Sequence, residues 1–132
     1  MNALLLCVTL ATAGSLAPPR ARYQYILANY LLAKGDVAGA LVAADVALLH
    51  DGRAAAPRLL KAQIARDDGR SDDALALLEE AVARSPDSAE AWLALAQLRS
   101  ARGDTYGAGV AQAKAAALAG SAASRPSVGG GG

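Results

Sequence analysis

The residues best able to do chemistry in this chain are few and scattered. His50 is the only histidine and Cys7 the only cysteine, whereas a catalytic base or nucleophile needs partner groups within hydrogen-bond reach. His50 lies near the end of a predicted helix, where a positive charge interacts favourably with the helix dipole. Cys7 lies in an apolar N-terminal segment, and a single cysteine forms neither an intrachain disulfide nor a thiolate metal cluster. We therefore assign His50 to a capping or surface role and expect no catalytic residue.

A cluster of carboxylates is the other candidate for chemistry. Four aspartates surround Gly69: Asp67, Asp68, Asp72 and Asp73. Carboxylates can hold a hard cation, but this spacing departs from the D-x-[DN]-x-[DN]-G calcium loop, and acidic residues are expected at a helix start on dipole grounds. The sequence also contains no glycine-rich phosphate loop after a strand and no HExxH motif. We predict no metal, no cofactor and no enzymatic activity.

Composition indicates the elements that could position a binding site instead. Apolar residues make up 54% of the 132 residues, yet aromatics make up only 4% and Phe is absent. Alanine has the best helix propensity, and the residues typical of strands are sparse, so the chain is predicted to be all-α. The formal net charge is +1 and the charges are dispersed, which argues against nucleic acid as a partner. The abundance of Ala and the preference for Arg over Lys suggest a GC-rich bacterial genome.

The first twenty residues differ from the rest. Ala3 to Gly14 carries no charge and is too short to span a membrane, which needs roughly 20 apolar residues. Its length and the small residues of Ala11-Thr12-Ala13 resemble a secretory signal, although a basic n-region is missing. We predict a leader and proline linker over 1–20, with export to the periplasm or cell envelope and contact with a membrane only through this N-terminal signal or anchor. The alternatives are a cytoplasmic protein whose leader is a frayed tail, or a leader helix packed against the first repeat.

An internal repeat organises the remaining chain. Blocks 21–54, 55–88 and 89–122 superimpose without a gap at a period of 34 residues, followed by a flexible Gly-rich tail over 123–132. Such a period signals a solenoid of stacked units. Four small-residue positions recur in all three blocks: Ala28, Ala62 and Ala96; Gly35, Gly69 and Gly103; Ala40, Ala74 and Ala108; and Ala47, Ala81 and Ala115.

Each recurring position has a physical role in a helix-turn-helix unit. The first and third alanine sets lie on facing helices, where small side chains permit the usual axis separation of about 8 to 10 Å. The glycines end the first helix, where a left-handed residue is wanted. Asp36, Ser71 and Asp104 follow as predicted N-caps of the second helices.

On these residues the chain resembles the tetratricopeptide repeat family. The third block carries the fullest match, with Trp92, Leu95 and Ala96 in its first helix, and Pro86 closes the second block. The departures are Gln24 and Arg58 at the position of Trp92, Lys61 at the position of Leu27 and Leu95, and Gly52 and Gly120 at the closing proline. The resemblance implies a right-handed α-solenoid of three helix-turn-helix repeats and six helices.

The resemblance also implies that the first helices of the repeats line a concave groove. Asn29, Gln63 and Gln97 would form a row of amides able to pair with the backbone of an extended peptide, and Tyr25, Leu59 and Leu93 would supply apolar pockets. We predict a scaffold that binds a peptide or a segment of another protein. The predicted groove residues are Arg22, Tyr25, Asn29, Leu32, Leu59, Gln63, Arg66, Glu90, Leu93 and Gln97.

The last predicted helix offers an alternative function. Thr105 to Ala119 is mostly alanine, with Lys114 as its only charge, and no capping helix follows it. A terminal repeat normally needs a polar cap, because its outer face otherwise stays exposed. The alternative is an assembly module that forms homo-oligomers or extends a larger complex through this helix.

Overall fold

Six consecutive helices form the described part of the molecule. A computed structural model describes residues 17–123, and no strand occurs in that range. The predicted all-α solenoid of three hairpins is therefore confirmed. The helices are α1 (Ala17–Ala33), α2 (Val37–His50), α3 (Ala55–Asp67), α4 (Ser71–Arg84), α5 (Ala89–Ala101) and α6 (Thr105–Ala123).

The first and last helices are longer than the period predicts. Helix α1 begins at Ala17, so Pro18 and Pro19 lie in its first turn rather than in a linker. Proline is tolerated there because the first amides of a helix have no intrahelical acceptor. Helix α6 continues through Gly120 to Ala123, beyond the predicted end at Ala119. A single glycine costs a helix only about 1 kcal/mol, and no proline stops this one.

The turn within each hairpin is set by its glycine. Gly35, Gly69 and Gly103 have φ values of 86°, 77° and 84°, which confirms the predicted left-handed position. The following residue closes the turn: the Asp36 amide donates to the Leu31 carbonyl at 2.9 Å, and Arg70 and Asp104 repeat this bond to Ala65 and Arg99. The three hairpins thus share one turn geometry.

The N-caps of the second helices differ between repeats. Asp36 and Asp104 act as predicted, since their Oδ1 atoms accept hydrogen bonds from the amides of Gly39 (2.9 Å) and Gly107 (2.8 Å). The prediction for Ser71 is wrong, because α4 begins at Ser71 and Arg70 occupies the cap position without a side-chain cap bond.

The residue at the third position of the second helix explains why the N-cap differs in the second repeat. A Cβ at Gly39 or Gly107 would overlap the carboxylate of its capping aspartate. The second repeat has Asp73 at that position, and Arg70 Nη1 lies 3.3 Å from its Oδ2. In the second repeat the carboxylate therefore lies in the first turn of α4 instead of at the cap position. A negative charge at the start of a helix interacts favourably with the helix dipole.

The core is built mostly from alanine, as the composition predicts. Each of the nine alanines at the three recurring alanine positions is buried. One cluster joins α1, α2 and α3 around Ala28, Ala40 and Ile64, and a second joins α3 to α6. Leu78 and Leu95 are the largest fully buried side chains among the described residues. Small side chains let the helices of each hairpin approach closely. Close packing of many small side chains, rather than burial of a few large ones, therefore stabilises the fold.

Polar contacts join neighbouring repeats across the loops. Lys61, which stands where the other repeats have leucine, places its Nζ 2.7 Å from Asp45 Oδ1 on α2. Arg102 Nη2 lies 2.8 Å from Asp72 Oδ1 on α4, and its Nη1 donates to Ser71 Oγ at 2.8 Å. These contacts fix the orientation of successive hairpins, although each exposed pair stabilises by only about 0–1 kcal/mol.

Candidate peptide-binding cleft

An open cleft of about 480 Å³ lies between the first helices of the second and third repeats. Helices α3 and α5 supply its sides, and α4 contributes one residue. The cleft is lined by Leu59, Ala62, Gln63, Arg66, Asp67, Leu78, Ala94 and Gln97. Four of these were predicted as groove residues from the sequence, namely Leu59, Gln63, Arg66 and Gln97.

The cleft combines an apolar base with polar edges. Ala62 and Leu78 are buried in the main core cluster, and Leu59 and Ala94 are partly buried against the same cluster. Gln63, Arg66 and Gln97 are exposed. An extended chain lying here would meet apolar surface below and side-chain donors and acceptors beside it, the usual composition of a peptide site.

The two glutamines are available for binding. Gln63 and Gln97 occupy the same repeat position on α3 and α5, and their side chains make no hydrogen bond with the rest of 17–123. Each amide offers two donors and one acceptor, which matches the alternating groups of a peptide backbone. Arg66 and Asp67 add one charge of each sign. The cleft is therefore polar without a net charge.

Asn29 is not part of this cleft. Its Nδ2 donates to the carbonyl of Tyr25 at 3.0 Å, one turn earlier in α1. Asparagine competes readily for nearby backbone groups because its side chain is short. The predicted row of three amides is thus reduced to two free members, and the length difference between Asn and Gln was the signal in the sequence.

The other predicted groove residues lie elsewhere on the first helices. Tyr25 packs against the first core cluster, and Leu32 lines a separate cleft of about 610 Å³ between the first two repeats. Arg22, Glu90 and Leu93 are exposed and are not among the residues lining the cleft between α3 and α5. Of the predicted apolar row Tyr25, Leu59 and Leu93, only Leu59 lines that cleft.

Four lining residues were not predicted: Ala62, Asp67, Leu78 and Ala94. Ala62 was assigned to the hairpin contact alone, and no role was predicted for Leu78. Both are buried, so a search for exposed side chains at one repeat position does not find them. Asp67 adjoins Arg66 and was considered only for a cation.

The acidic cluster around Gly69 is engaged by arginines. Asp68 and Asp73 both pair with Arg70, at 2.9 and 3.3 Å, and Asp72 pairs with Arg102. Within 17–123, no group of three or more His, Cys, Asp or Glu residues could hold a metal ion. His50 is exposed in the last turn of α2.

The outer face of α6 differs from the corresponding faces of α2 and α4. In α2 and α4, the side chains directed at the next repeat are buried or partly buried; they are Leu41, Ala44, Leu48, Leu75, Leu78 and Val82. The equivalent residues of α6 are Gly109, Gln112 and Ala116, and all three are exposed. The last repeat therefore presents small and polar residues where the others present mainly aliphatic ones.

The apolar leader lies outside the described residues, so its predicted export role is a prediction only. Between residues 17 and 123, none of the helices has the length and apolar character needed to cross a membrane.

Comparison with known proteins agrees with the repeat architecture. The family model described as tetratricopeptide repeat matches residues 55–98, which span α3, α4 and most of α5. No curated protein matches the chain. Among solved structures, one of MamA is similar with a TM-score of 0.68 at 18% identity, covering 79% of this chain and 61% of that one.

A second MamA structure gives a TM-score of 0.64 at 17% identity, covering 83% of this chain and 60% of that chain. The chain thus spans about three fifths of the length of these MamA chains. At such identities the likeness concerns the fold. The tetratricopeptide-repeat model matches the central hairpin, and the same 34-residue unit recurs on either side of it, so the repeat architecture of this chain is similar to that of the family.

Proposed function

We propose that the chain is a non-enzymatic scaffold that binds an extended, uncharged segment of a partner protein in the cleft between α3 and α5. The observation that carries this proposal is the pair Gln63 and Gln97. Both are exposed at one repeat position, both line the cleft, and neither is used by the fold. By contrast, the side chains of Asp36, Lys61 and Arg102 are engaged in capping or ion pairs.

The chemistry of the cleft favours a neutral peptide. Arg66 and Asp67 contribute opposite charges, so a strongly acidic or basic segment gains little net attraction. Leu59 and Ala94, which are partly buried, offer apolar contact for side chains that alternate with the backbone groups paired to the amides. The expected ligand therefore has small or aliphatic side chains at alternating positions.

The direct experiment is selection of peptides on the full chain from a display library of random sequences. We expect enriched peptides of low net charge whose affinity changes little with salt, because long-range attraction contributes little. Amide resonances of Gln63, Arg66 and Gln97 should shift on titration of a selected peptide, whereas those of Gln112 on α6 should not. Enrichment of highly charged peptides, or shifts confined to another surface, would contradict the proposal.

Assembly through α6 is the second candidate function. It is favoured by the exposed Tyr106 and Val110, which are 83% and 39% accessible on a 19-residue helix. It is opposed by Gly109, Gln112 and Ala116, which supply little apolar area at the stacking positions. Sedimentation of the parent and of Ala116→Glu separates the alternatives. A parent assembly that dissociates in the variant would support self-association, and equal sedimentation would exclude it.

A further inference from the structure

Helix α1 carries an exposed apolar stripe that the cleft does not use. Tyr23, Ile26 and Tyr30 are 64%, 58% and 57% accessible. Their spacing of three and then four residues places them on one face of the helix. Three large side chains exposed side by side on a short helix are unusual for a surface that faces only water.

The other repeats show what normally covers this face. The equivalent residues of α3 are Pro57, Leu60 and Ile64, and all three are buried. The equivalent residues of α5 are Ala91, Ala94 and Leu98, of which the first and last are buried.

In both cases the second helix of the preceding repeat packs there. Leu60 and Ile64, for example, share a core cluster with Ala40, Ala43 and Ala44 of α2. The stripe on α1 therefore corresponds to the face that, on α3 and α5, is covered by the helix that precedes it.

The chain itself supplies an apolar segment at that place. Stepping back 34 residues from α2 reaches residues 3–16, a stretch of the same 14-residue length as α2 and α4. It reads ALLLCVTLATAGSL and has no charged side chain. Helix α1 contains Arg20 and Arg22 and no acidic residue, and Lys34 follows its last residue. An uncharged occupant avoids repulsion there.

A second copy fits the stripe less well than this segment does. The end of the molecule that would stack on α1 is the outer face of α6, which exposes Gly109, Gln112 and Ala116 at its stacking positions. That face offers few aliphatic side chains. The N-terminal segment has five leucines and is joined to α1 directly, so its effective concentration at the stripe is high.

We propose that residues 3–13 fold back as a helix on the Tyr23, Ile26 and Tyr30 stripe and cover the N-terminal end of the solenoid. Gly14, Ser15 and Leu16 would form the connecting turn, a length typical of helix–helix connections. This role belongs to the chain that retains its leader. Cleavage of the segment, as the export prediction implies, would uncover the stripe.

Cys7 permits a direct test because it is the only cysteine in the chain. The full-length variants Tyr23→Cys and Tyr30→Cys each place a second thiol at one end of the stripe. Together they test docking of the segment with Cys7 near the N-terminal end of the stripe and docking with Cys7 near its C-terminal end. Mild oxidation followed by non-reducing electrophoresis and mass spectrometry identifies the disulfides. The control is Tyr106→Cys, which places a thiol at a tyrosine of α6 that is more accessible than either stripe tyrosine.

We expect a disulfide within one chain in at least one stripe variant, formed at least about tenfold faster than in the control. Disulfides only between chains would assign the stripe to a second copy and overturn the proposal. Oxidation no faster than in the Tyr106→Cys control would also overturn it.

A second variant pair tests the covering without a thiol. Ile26→Asp places a charge in the stripe, and Val42→Asp places one on α2 at a residue of similar accessibility, 63% against 58%. In the full chain, a docked segment buries residue 26 but leaves residue 42 exposed. Ile26→Asp should therefore lower the thermal unfolding midpoint by several degrees more than Val42→Asp does. Equal midpoints would contradict the proposed docking.

Discussion

The second and third repeats meet the same structural requirement with different chemistry. Arg58 and Trp92 occupy one repeat position, and each donates a hydrogen bond of 2.8 Å to the carbonyl six residues earlier, Gly52 and Pro86 respectively. Arg58 donates in addition to the Ala54 carbonyl at 3.2 Å. What the two repeats share is therefore an N–H donor that closes the loop before the helix, not a particular side chain.

The residue opposite this position changes with it. Glu80 on α4 has its Oε1 3.5 Å from Arg58 Nη2. In the third repeat the equivalent residue is Lys114, whose Nζ lies 5.3 Å from the centroid of the Trp92 ring. An anion thus faces the guanidinium and a cation faces the aromatic ring, each the favourable partner for its neighbour. The position and its partner should be understood as a pair.

The largest expected effect comes from removing the buried cation. Arg58 is only 6% accessible, so Arg58→Ala leaves two loop carbonyls without a donor and removes a packed aliphatic stem. We expect a loss of about 2–4 kcal/mol in the free energy of unfolding, measured by urea denaturation. The control Glu80→Gln should cost less than about 1 kcal/mol, because Glu80 is half-exposed. Equal losses would mean that the ion pair, rather than the loop closure, is what matters.

The next effect tests a feature that both repeats share. Ala62 and Ala96 are buried at the contact between the helices of their hairpins. Ala62→Leu should force those helices apart and cost about 1–3 kcal/mol in the same assay. The matched control is Ala83→Leu on the exposed side of α4, which should change stability by no more than about 0.5 kcal/mol. An unaffected Ala62→Leu variant would place the hairpin contact elsewhere.

A smaller effect isolates the donor in the third repeat. Trp92→Phe keeps an aromatic ring but removes the Nε1–H that bonds the Pro86 carbonyl. We expect a loss of about 1 kcal/mol in thermal or urea unfolding, the worth of one hydrogen bond with some ring area. Tyr106→Phe on the exposed face of α6 is the control. If Trp92→Phe were as stable as the parent, loop closure would not depend on that donor.

The smallest effect concerns the coupling of each pair. Arg58→Trp with Glu80→Lys rebuilds the pairing of the third repeat inside the second. The two substitutions together should cost less than the sum of the single ones, by about 0.5–1 kcal/mol in a double-mutant cycle. Strict additivity would show that the two positions do not interact, despite their contact distances.

The helices were predicted well from the sequence because small residues at fixed positions define the repeat unit. Alanine is required where helix axes approach and glycine where φ is positive, so Ala62, Gly69 and Ala74 fix a hairpin without any knowledge of their neighbours. The helix ends were harder to predict. Proline in a first turn and glycine in a last turn are tolerated at little cost, and α1 and α6 therefore run past the repeat boundaries.

The candidate site was predicted in part for a related reason. Repeat position placed Gln63 and Gln97 correctly on one surface, because that follows from the period alone. Asn29 has the same repeat position, but its short side chain donates a hydrogen bond to the Tyr25 carbonyl within α1. The spacing of the repeats does not predict this bond. The cap at Ser71 failed similarly, since Arg70 with Asp68 and Asp73 forms a local network at the start of α4.

Binding at the two free glutamines is the central claim, and its most direct measurement is the affinity of a selected neutral peptide for three full-length proteins. These are the parent, the double variant Gln63→Ala with Gln97→Ala, and the control Gln112→Ala, which removes an exposed amide from α6. Fluorescence anisotropy should give a dissociation constant at least about tenfold weaker for the double variant, since two backbone hydrogen bonds are lost. The control should match the parent. A double variant that binds as tightly as the parent would contradict the assignment of this cleft as the binding site.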